Sequence, residues 1–519
     1  MEKAYHLVQD RLSSLSESRK IVITSITAAT AAVVLYRLFS REKKDPLLKE
    51  IPMARNCYPV LGHMLSLGKH PGRTVDQWHK ELGPIFQIRM GIQTWVMIND
   101  PVLAHTVFSK HGMQVSDRAY NKYCITHYAK GGKGVAFVQP RKNWKEARTA
   151  VLSVLSPKQI ETVYLHLVEE ESKRLIDKLL LDTSSHVSEG IVVNKYLHLA
   201  SMNIVLQLGF GMRYQAVEDP EFRHLSDTIL KSIELGTLVN DMSGFIPAFK
   251  ILEHLSGQEK HMKHHIEQVR DPLLRRLMND ALCREGPNVT KSLEGYDLSS
   301  DDKLVIISDF LAGGTDTVSV TLSWTVALLC HHPEIQQRVA DEIQQFVRKH
   351  NRFPQFSDRD QVPYVNCVLK ESLRFRPVTA FGIPHAVKED VVIDQYLFKK
   401  GTSVMTPMES IHWNPQVYFE PERFYPERFI NDTKTMNAAA NGRPEERDHF
   451  NFGWGRRLCP GIYLAEVELF IVFVQLIGRC IVEPPTDEKG QVILPDIDHP
   501  DSSLTLSPRT FKVKFIKRP

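Results

Sequence analysis

The sequence has almost no surplus of charge: 65 basic against 61 acidic residues leave a net +4. That balance gives no reason to expect nucleic acid as a partner. Cysteine is sparse, seven in 519 residues (57, 124, 283, 330, 367, 459 and 480), and none stands in C-x-x-C spacing. This excludes a disulfide framework and a zinc site. The odd, scattered set suits a reducing compartment such as the cytosol. No stretch rich in Pro, Ser and Gly divides the chain, and no internal repeat is present. Length alone suggests about three domains; the missing linkers favour a single large body.

Long uncharged runs are scarce as well. Residues 1–20 are polar and mixed in charge. Residues 21–36 (IVITSITAATAAVVLY) are sixteen without charge, and Leu38 and Phe39 extend the run. It is short for a membrane span and diluted by Thr and Ala. Arg19 and Lys20 precede it, and Arg37, Arg41, Lys43 and Lys44 follow, which leans towards a cytosolic C-terminal body. Segment 21–39 is therefore read as a membrane anchor, ahead of a body over 40–519. A buried amphipathic helix is the alternative.

What is present concentrates in residues 450–461, Phe-Asn-Phe-Gly-Trp-Gly-Arg-Arg-Leu-Cys-Pro-Gly. Gly453, Gly455 and Gly461 allow tight turns with little bulk. Phe452 can lie against a flat apolar group. Arg457 sets a permanent cation two residues before Cys459. Pro460 suits the first position of a helix, and 462–480 is apolar enough to be a buried one. A cysteine at a helix N-terminus beside arginine ionises easily, and a thiolate is a metal ligand. The competing reading is a structural cysteine in a Gly-rich turn.

Elsewhere the patterns are local. Residues 84–100 alternate about Gly91, a hairpin. Trp144 and Arg148 share one helical face. Residues 158–280 read as amphipathic helices broken at Phe245-Ile246-Pro247. A polar surface loop spans 284–302, and Asn288-Val-Thr290 and Asn431-Asp-Thr433 match glycosylation sequons. Residues 300–330 form a helix of about 45 Å, capped by Ser299 or Ser300, with Asp301 and Asp302 at its positive end. Its middle reads Ala312-Gly-Gly-Thr-Asp-Thr-Val318. Two glycines cost a helix about 2 kcal/mol relative to alanine, so something favours bare backbone there. A flat ligand against the helix would; a kinked core helix with Thr317 bonded to its own backbone is the plainer account. His332-Pro333-Glu334 opens a further helix with Ile335, Val339, Ile343 and Val347 on its apolar stripe. Glu371 and Arg374 can pair within an apolar segment, and such a pair needs further partners when buried; Arg428 offers one. Residues 386–406 form short strands, 431–448 a polar loop, and 503–515 a terminal hairpin.

The array Phe452-Gly-x-Gly455-x-Arg457-x-Cys459-x-Gly461 resembles the heme-binding loop of the cytochrome P450 family, whose cysteine thiolate is the proximal ligand of heme iron. The resemblance covers about residues 50–519. It implies a mainly α fold with small β-sheets, the cytochrome P450 fold, preceded by an N-terminal membrane-anchor helix. It implies heme b (iron protoporphyrin IX) on Cys459, with Phe452, Arg457 and Gly461 in the loop and Trp144, Arg148 and His385 at the propionates. Gly314, Asp316 and Thr317 match the motif in which an acid–alcohol pair delivers protons to dioxygen; Val318 departs from the usual Thr or Ser. Glu371, Arg374 and Arg428 match the structural triad, and 378–383 the strand lining the pocket. Segment 158–280 holds the substrate lid, and the loop from Ser116-Asp-Arg118 to about Gly134 covers the substrate. The implied reaction is monooxygenation of a lipophilic substrate, a steroid first, then a fatty acid or xenobiotic. Electrons come from NADPH through NADPH–cytochrome P450 reductase, with cytochrome b5 as a further partner; Arg141, Lys142 and Lys145 suit a basic docking face. The implied location is the endoplasmic reticulum membrane, single-pass, catalytic domain cytosolic. A heme-thiolate isomerase or dehydratase acting on a peroxide, and a non-catalytic heme sensor, are the alternatives.

Overall fold

A computed structural model describes residues 46–186, 189–502 and 505–519. The expected anchor, 21–39, lies outside the described residues. The chain divides between Glu50 and Ile51. The compact unit Ile51–Pro519 carries every element that builds the site.

The unit is mainly helical, as expected. Its axis is the helix Ser300–His331, 32 residues long. Ser299 caps it, its hydroxyl accepting from the Asp302 amide at 3.1 Å, and Asp301 and Asp302 occupy the positive end. The backbone stays helical through Gly313 and Gly314. Among the described residues this helix alone is long and apolar enough to cross a membrane, yet most of it is buried in protein. Helices Val193–Phe210 and Ile462–Arg479, each 18 residues and nearly all buried, share its core. The cysteine-loop helix starts at Ile462 with Gly461 as its cap. Pro460 therefore stands before the helix, not at its first position. At the other end Cys480 leaves it to begin the strand Cys480–Glu483.

The sheets are small. The largest has five strands, in the order Ile85–Met90, Gln93–Ile98, Ser403–Met405, His385–Ala386, Asp117–Arg118. The expected hairpin pairs Ile85 with Ile98 and Met90 with Gln93, turning at Gly91 with φ of 57°. The strand expected over 378–383 is confined to His385–Ala386. The expected terminal hairpin is also rearranged. Asp501–Ser502 pairs with Leu506–Ser507, and Lys512–Lys517 joins Cys480–Glu483 and Ile191–Val192 instead. Leu506 is held by its amide on the Val378 carbonyl (2.7 Å) and by Trp324 Nε1 on its own carbonyl (2.7 Å).

Two expected loops contain helices. Asn288 is fully buried; it caps Val289–Leu293 and donates to the Ala281 carbonyl at 3.0 Å. A glycan cannot be placed on it in the folded chain. Within 431–448, Met436–Asn441 is helical, and Glu466 of the cysteine-loop helix accepts from the Met436 amide at 2.8 Å.

The triad forms. Arg374 donates to both Glu371 oxygens (2.7 and 2.8 Å), and Arg428 Nε donates to Glu371 Oε2 at 2.9 Å. Arg374 also reaches the carbonyls of His412, Pro421 and Arg423, and Glu371 accepts from the Tyr425 amide. Glu371 and Arg374 are wholly buried. A buried pair is tolerated when the remaining donors and lone pairs are satisfied. Here they tie the helix Pro363–Phe375 to the meander that leads into the cysteine loop.

Candidate active site

The cysteine loop closes on itself. The Cys459 amide donates to the Phe452 carbonyl at 2.9 Å. Gly455 has φ of 50°, and a Cβ there would meet the Phe108 carbonyl oxygen at 2.5 Å, so the loop packs backbone to backbone against 108–109. Cys459 keeps accessible surface while its neighbour Leu458 is buried. The thiol nevertheless lies among many protein atoms, and this desolvation raises its pKa; the Gly461 amide and the Arg148 charge work the other way. The expected easy ionisation is thus not a property of the loop alone.

Nor is Arg457 the cation at the sulfur. Its guanidinium turns away, donating to the carbonyls of Ser116 (3.0 Å), Val135 (3.1 Å) and Val138. Arg148 takes that place, donating to the Leu458 carbonyl at 2.5 Å. Trp144 packs beneath both arginines, with guanidinium-to-ring distances of 4.6 Å for Arg457 and 5.6 Å for Arg148. Its Nε1 donates to the Val135 carbonyl at 3.1 Å.

His385, expected at a propionate, is engaged at one ring nitrogen with the backbone. Its Nδ1 lies 2.8 Å from the Val115 carbonyl, which can only accept, so Nδ1 carries the proton. Burial, then the charge of Arg118, holds the pKa far below the usual histidine range. The cation at this edge is Arg118, paired in register with His385 across the sheet. It is 8% exposed and donates to the carbonyls of Ala136 and Ile383. Desolvation first, then Arg457 and Arg148, depresses its pKa, while Asp309 opposes. In the sequence Arg118 marks only the start of a loop; an arginine in a two-residue strand leaves no periodic trace.

Arg118 and Arg457, both buried, and the half-buried Arg148 therefore form a group of cations, and among the described residues none makes an ion pair with a carboxylate. Buried charge of one sign costs free energy unless an opposite charge joins it. Beside them stand an accessible soft sulfur ligand and the half-buried ring of Phe452. This donor set fits a flat apolar group with anionic edges and a metal centre.

The long helix contributes the other expected residues. Gly313 is exposed, and a Cβ there would meet nothing within 4 Å. Gly314 has a different reason to be bare: a Cβ would lie 2.7 Å from Val205 Cγ2 on the helix Val193–Phe210. It lets two core helices approach. Thr317 lies four residues beyond Gly313 and donates to that carbonyl at 2.7 Å. Asp316 accepts at Oδ2 from Thr505 Oγ1 at 2.8 Å. Thr317 and Asp316 are adjacent in sequence yet are held by different partners.

Comparison with known proteins agrees with this geometry. The sequence model of the cytochrome P450 family matches residues 52–515. A cytochrome P450 monooxygenase of Penicillium polonicum is 27% identical over 473 residues, covering 86% of this chain and 84% of its own. The steroid 17-alpha-hydroxylase/17,20 lyase of Felis catus is 28% identical over 492 residues, covering 89% and 92%. Among solved structures, a zebra fish cytochrome P450 with abiraterone superposes with a TM-score of 0.69 at 25% identity, covering 86% of this chain and 100% of that one. A second structure of a zebra fish cytochrome P450, with progesterone, gives the same score.

Proposed function

This chain belongs to the cytochrome P450 family, within the monooxygenase class of oxidoreductases, and from that premise we propose that it inserts one atom of O2 into a steroid-like lipophilic substrate. The observation that carries the reading is the closed loop at 450–461, with an accessible Cys459 thiol beside buried and half-buried cations that, among the described residues, lack carboxylate partners. Cys459 would hold the iron of heme b, with Arg118, Arg148 and Arg457 offering positive charge to its propionates. Heme so bound supplies the activation of O2, using electrons delivered singly by an NADPH-dependent reductase. Lys142 and Lys145, exposed with Arg141 at the start of the helix Lys142–Val154, suit the docking of an acidic face on that reductase or on cytochrome b5.

Thr317 handles the proton. Its own hydroxyl proton is engaged on the Gly313 carbonyl, so Oγ1 is free to accept, and it holds a water that passes protons towards the reacting oxygen. Asp316 resupplies that water, steadied by Thr505. This supports O2-dependent turnover over isomerisation of a peroxide, which needs no proton relay.

The steroid preference rests on the relatives: steroid 17-alpha-hydroxylase/17,20 lyase in sequence, and zebra fish structures with abiraterone and progesterone. A location at the endoplasmic reticulum membrane, with 21–39 as anchor, is supported by exposed aliphatic residues on the body. Val60, Leu65, Ile92, Ile251 and Leu255 are all 65% exposed or more. The Gly91 amide on Leu61 and the Ile92 amide on Phe245 tie three of these segments together. The test is turnover of full-length protein reconstituted with NADPH–cytochrome P450 reductase and a panel of steroids, fatty acids and small aromatics. A hydroxylated steroid formed at the expense of NADPH is expected. Turnover confined to fatty acids or aromatics would overturn the substrate class, and product without NADPH would overturn the reaction.

A further inference from the structure

Away from the cysteine loop, a cavity of about 460 Å3 lies between the helices Leu165–Ser185, Pro333–His350 and Ile462–Arg479 and the last strand. That volume falls within the ~300–1,000 Å3 of small-molecule sites. Its floor is apolar: Leu180, Ile343, Val347 and Phe353. Phe353 lies flush over Gly478, where a Cβ would meet its ring at 2.5 Å, so the floor is closed by close packing.

Beside Gln344 and Pro519, the rim carries four cations, Arg348, Arg479, Lys517 and Arg518. Two of these are committed. Arg479 pairs with Asp177 at 2.5 Å, and Arg518 donates to the carbonyls of Ile477 (2.8 Å) and Cys480 (3.0 Å). Asp341 acts on Arg518. The side chains of Arg348 and Lys517 are exposed and make no ion pair or hydrogen bond among the described residues. A closed apolar floor under two uncommitted cations is complementary to a molecule with one aliphatic chain and one anionic head. The aliphatic stems of Arg348 and Lys517 extend the apolar wall while their charged ends stay in water.

We propose that this cavity binds a long-chain carboxylate of the fatty-acid class, at a site separate from the one that holds the reacting substrate. The chain would lie on Ile343, Val347 and Phe353, and the carboxylate between Arg348 and Lys517. The proposal does not depend on the reading of the heme site.

Photo-crosslinking of the full-length holoprotein with diazirine-tagged palmitate tests it. Label is expected in peptides spanning 343–353 and 478–518. It should be competed by laurate but not by dodecanol, which has the same chain and no charge. Arg348→Glu with Lys517→Glu, both at the surface, should cut the labelling about ten-fold while the carbon monoxide spectrum stays unchanged. Absence of label from those peptides, equal competition by dodecanol, or labelling indifferent to the double charge reversal would each overturn the site.

Discussion

Thr505 donates its hydroxyl to Asp316 Oδ2 at 2.8 Å, joining positions 189 residues apart in the chain. The bond turns the carboxylate towards the segment beside the hairpin of Asp501–Ser502 and Leu506–Ser507, while Thr317 is anchored separately on the Gly313 carbonyl. The proton path is thus assembled from two elements, not one. Thr317→Val, lacking an acceptor, should keep substrate affinity and NADPH consumption but shift their yield from product to hydrogen peroxide; Thr317→Ser should stay coupled. Thr505→Val should leave the carboxylate in place but unsteadied, slowing oxygen consumption by less than Asp316→Asn does. General acid–base groups contribute about 10²–10⁴-fold, the ceiling for either effect. Full coupling in Thr317→Val, measured as product per NADPH, would return the residue to a packing role.

The two adjacent glycines of the long helix should respond in opposite senses. Gly314→Ala drives a methyl to 2.7 Å from Val205 and should cost about 1–3 kcal/mol, recovered when Val205→Ala is added. Gly313→Ala meets nothing and should stabilise by about 0.5–1 kcal/mol through helix propensity. Because it adds bulk on the Thr317 face, it should also weaken substrate binding. Denaturant unfolding and spectral titration of both variants check the pair.

Glu371 is wholly buried and holds two arginines and one amide. Glu371→Gln would leave Arg374 buried without its counter-charge, a loss on the scale of about 3–5 kcal/mol. The expected outcome is protein recovered with little bound heme, read as the ratio of Soret to protein absorbance. Heme content equal to wild type would show that the triad does not set the approach to the cysteine loop.

Glu468 sits in the core on the helix Ile462–Arg479, and burial pushes its carboxyl from 4.5 up to about 8. Well below pH 4.5, folded and unfolded chains are both protonated at this group. As pH rises towards 8, the unfolded chain releases a proton that the folded chain retains, so this group makes stability fall across that window. Glu468→Gln should flatten the decline, gaining a few degrees in midpoint at about pH 8 relative to about pH 5. An unchanged difference between those two pH values would contradict the assignment.

Much of the fold and site was legible in the sequence, for local reasons. The Ser299 cap, the Gly91 turn, the stripe Ile335–Val339–Ile343 and the Cys459 loop each depend on neighbours within a few residues. The illegible features depend on distant partners. Arg457 is drawn from the sulfur by carbonyls 319 or more positions away. Burial first, and then Arg118 on the strand paired beside it, lowers the pKa of His385. Gly314 owes its bareness to Val205, and the sequon of Asn288 is tied down by Thr290 donating to the Gly209 carbonyl, 81 positions away. The last strand pairs with Cys480–Glu483 and Ile191–Val192, both distant in sequence, and not with its own neighbour.

Every role proposed for the site depends on Cys459 holding heme iron as a thiolate. The spectrum of the reduced full-length protein under carbon monoxide decides that point. A strongly red-shifted Soret band is expected, absent in Cys459→Ser and retained when any of the other six cysteines is replaced. A band in the position typical of histidine-ligated heme, from well-folded protein, would contradict the thiolate assignment.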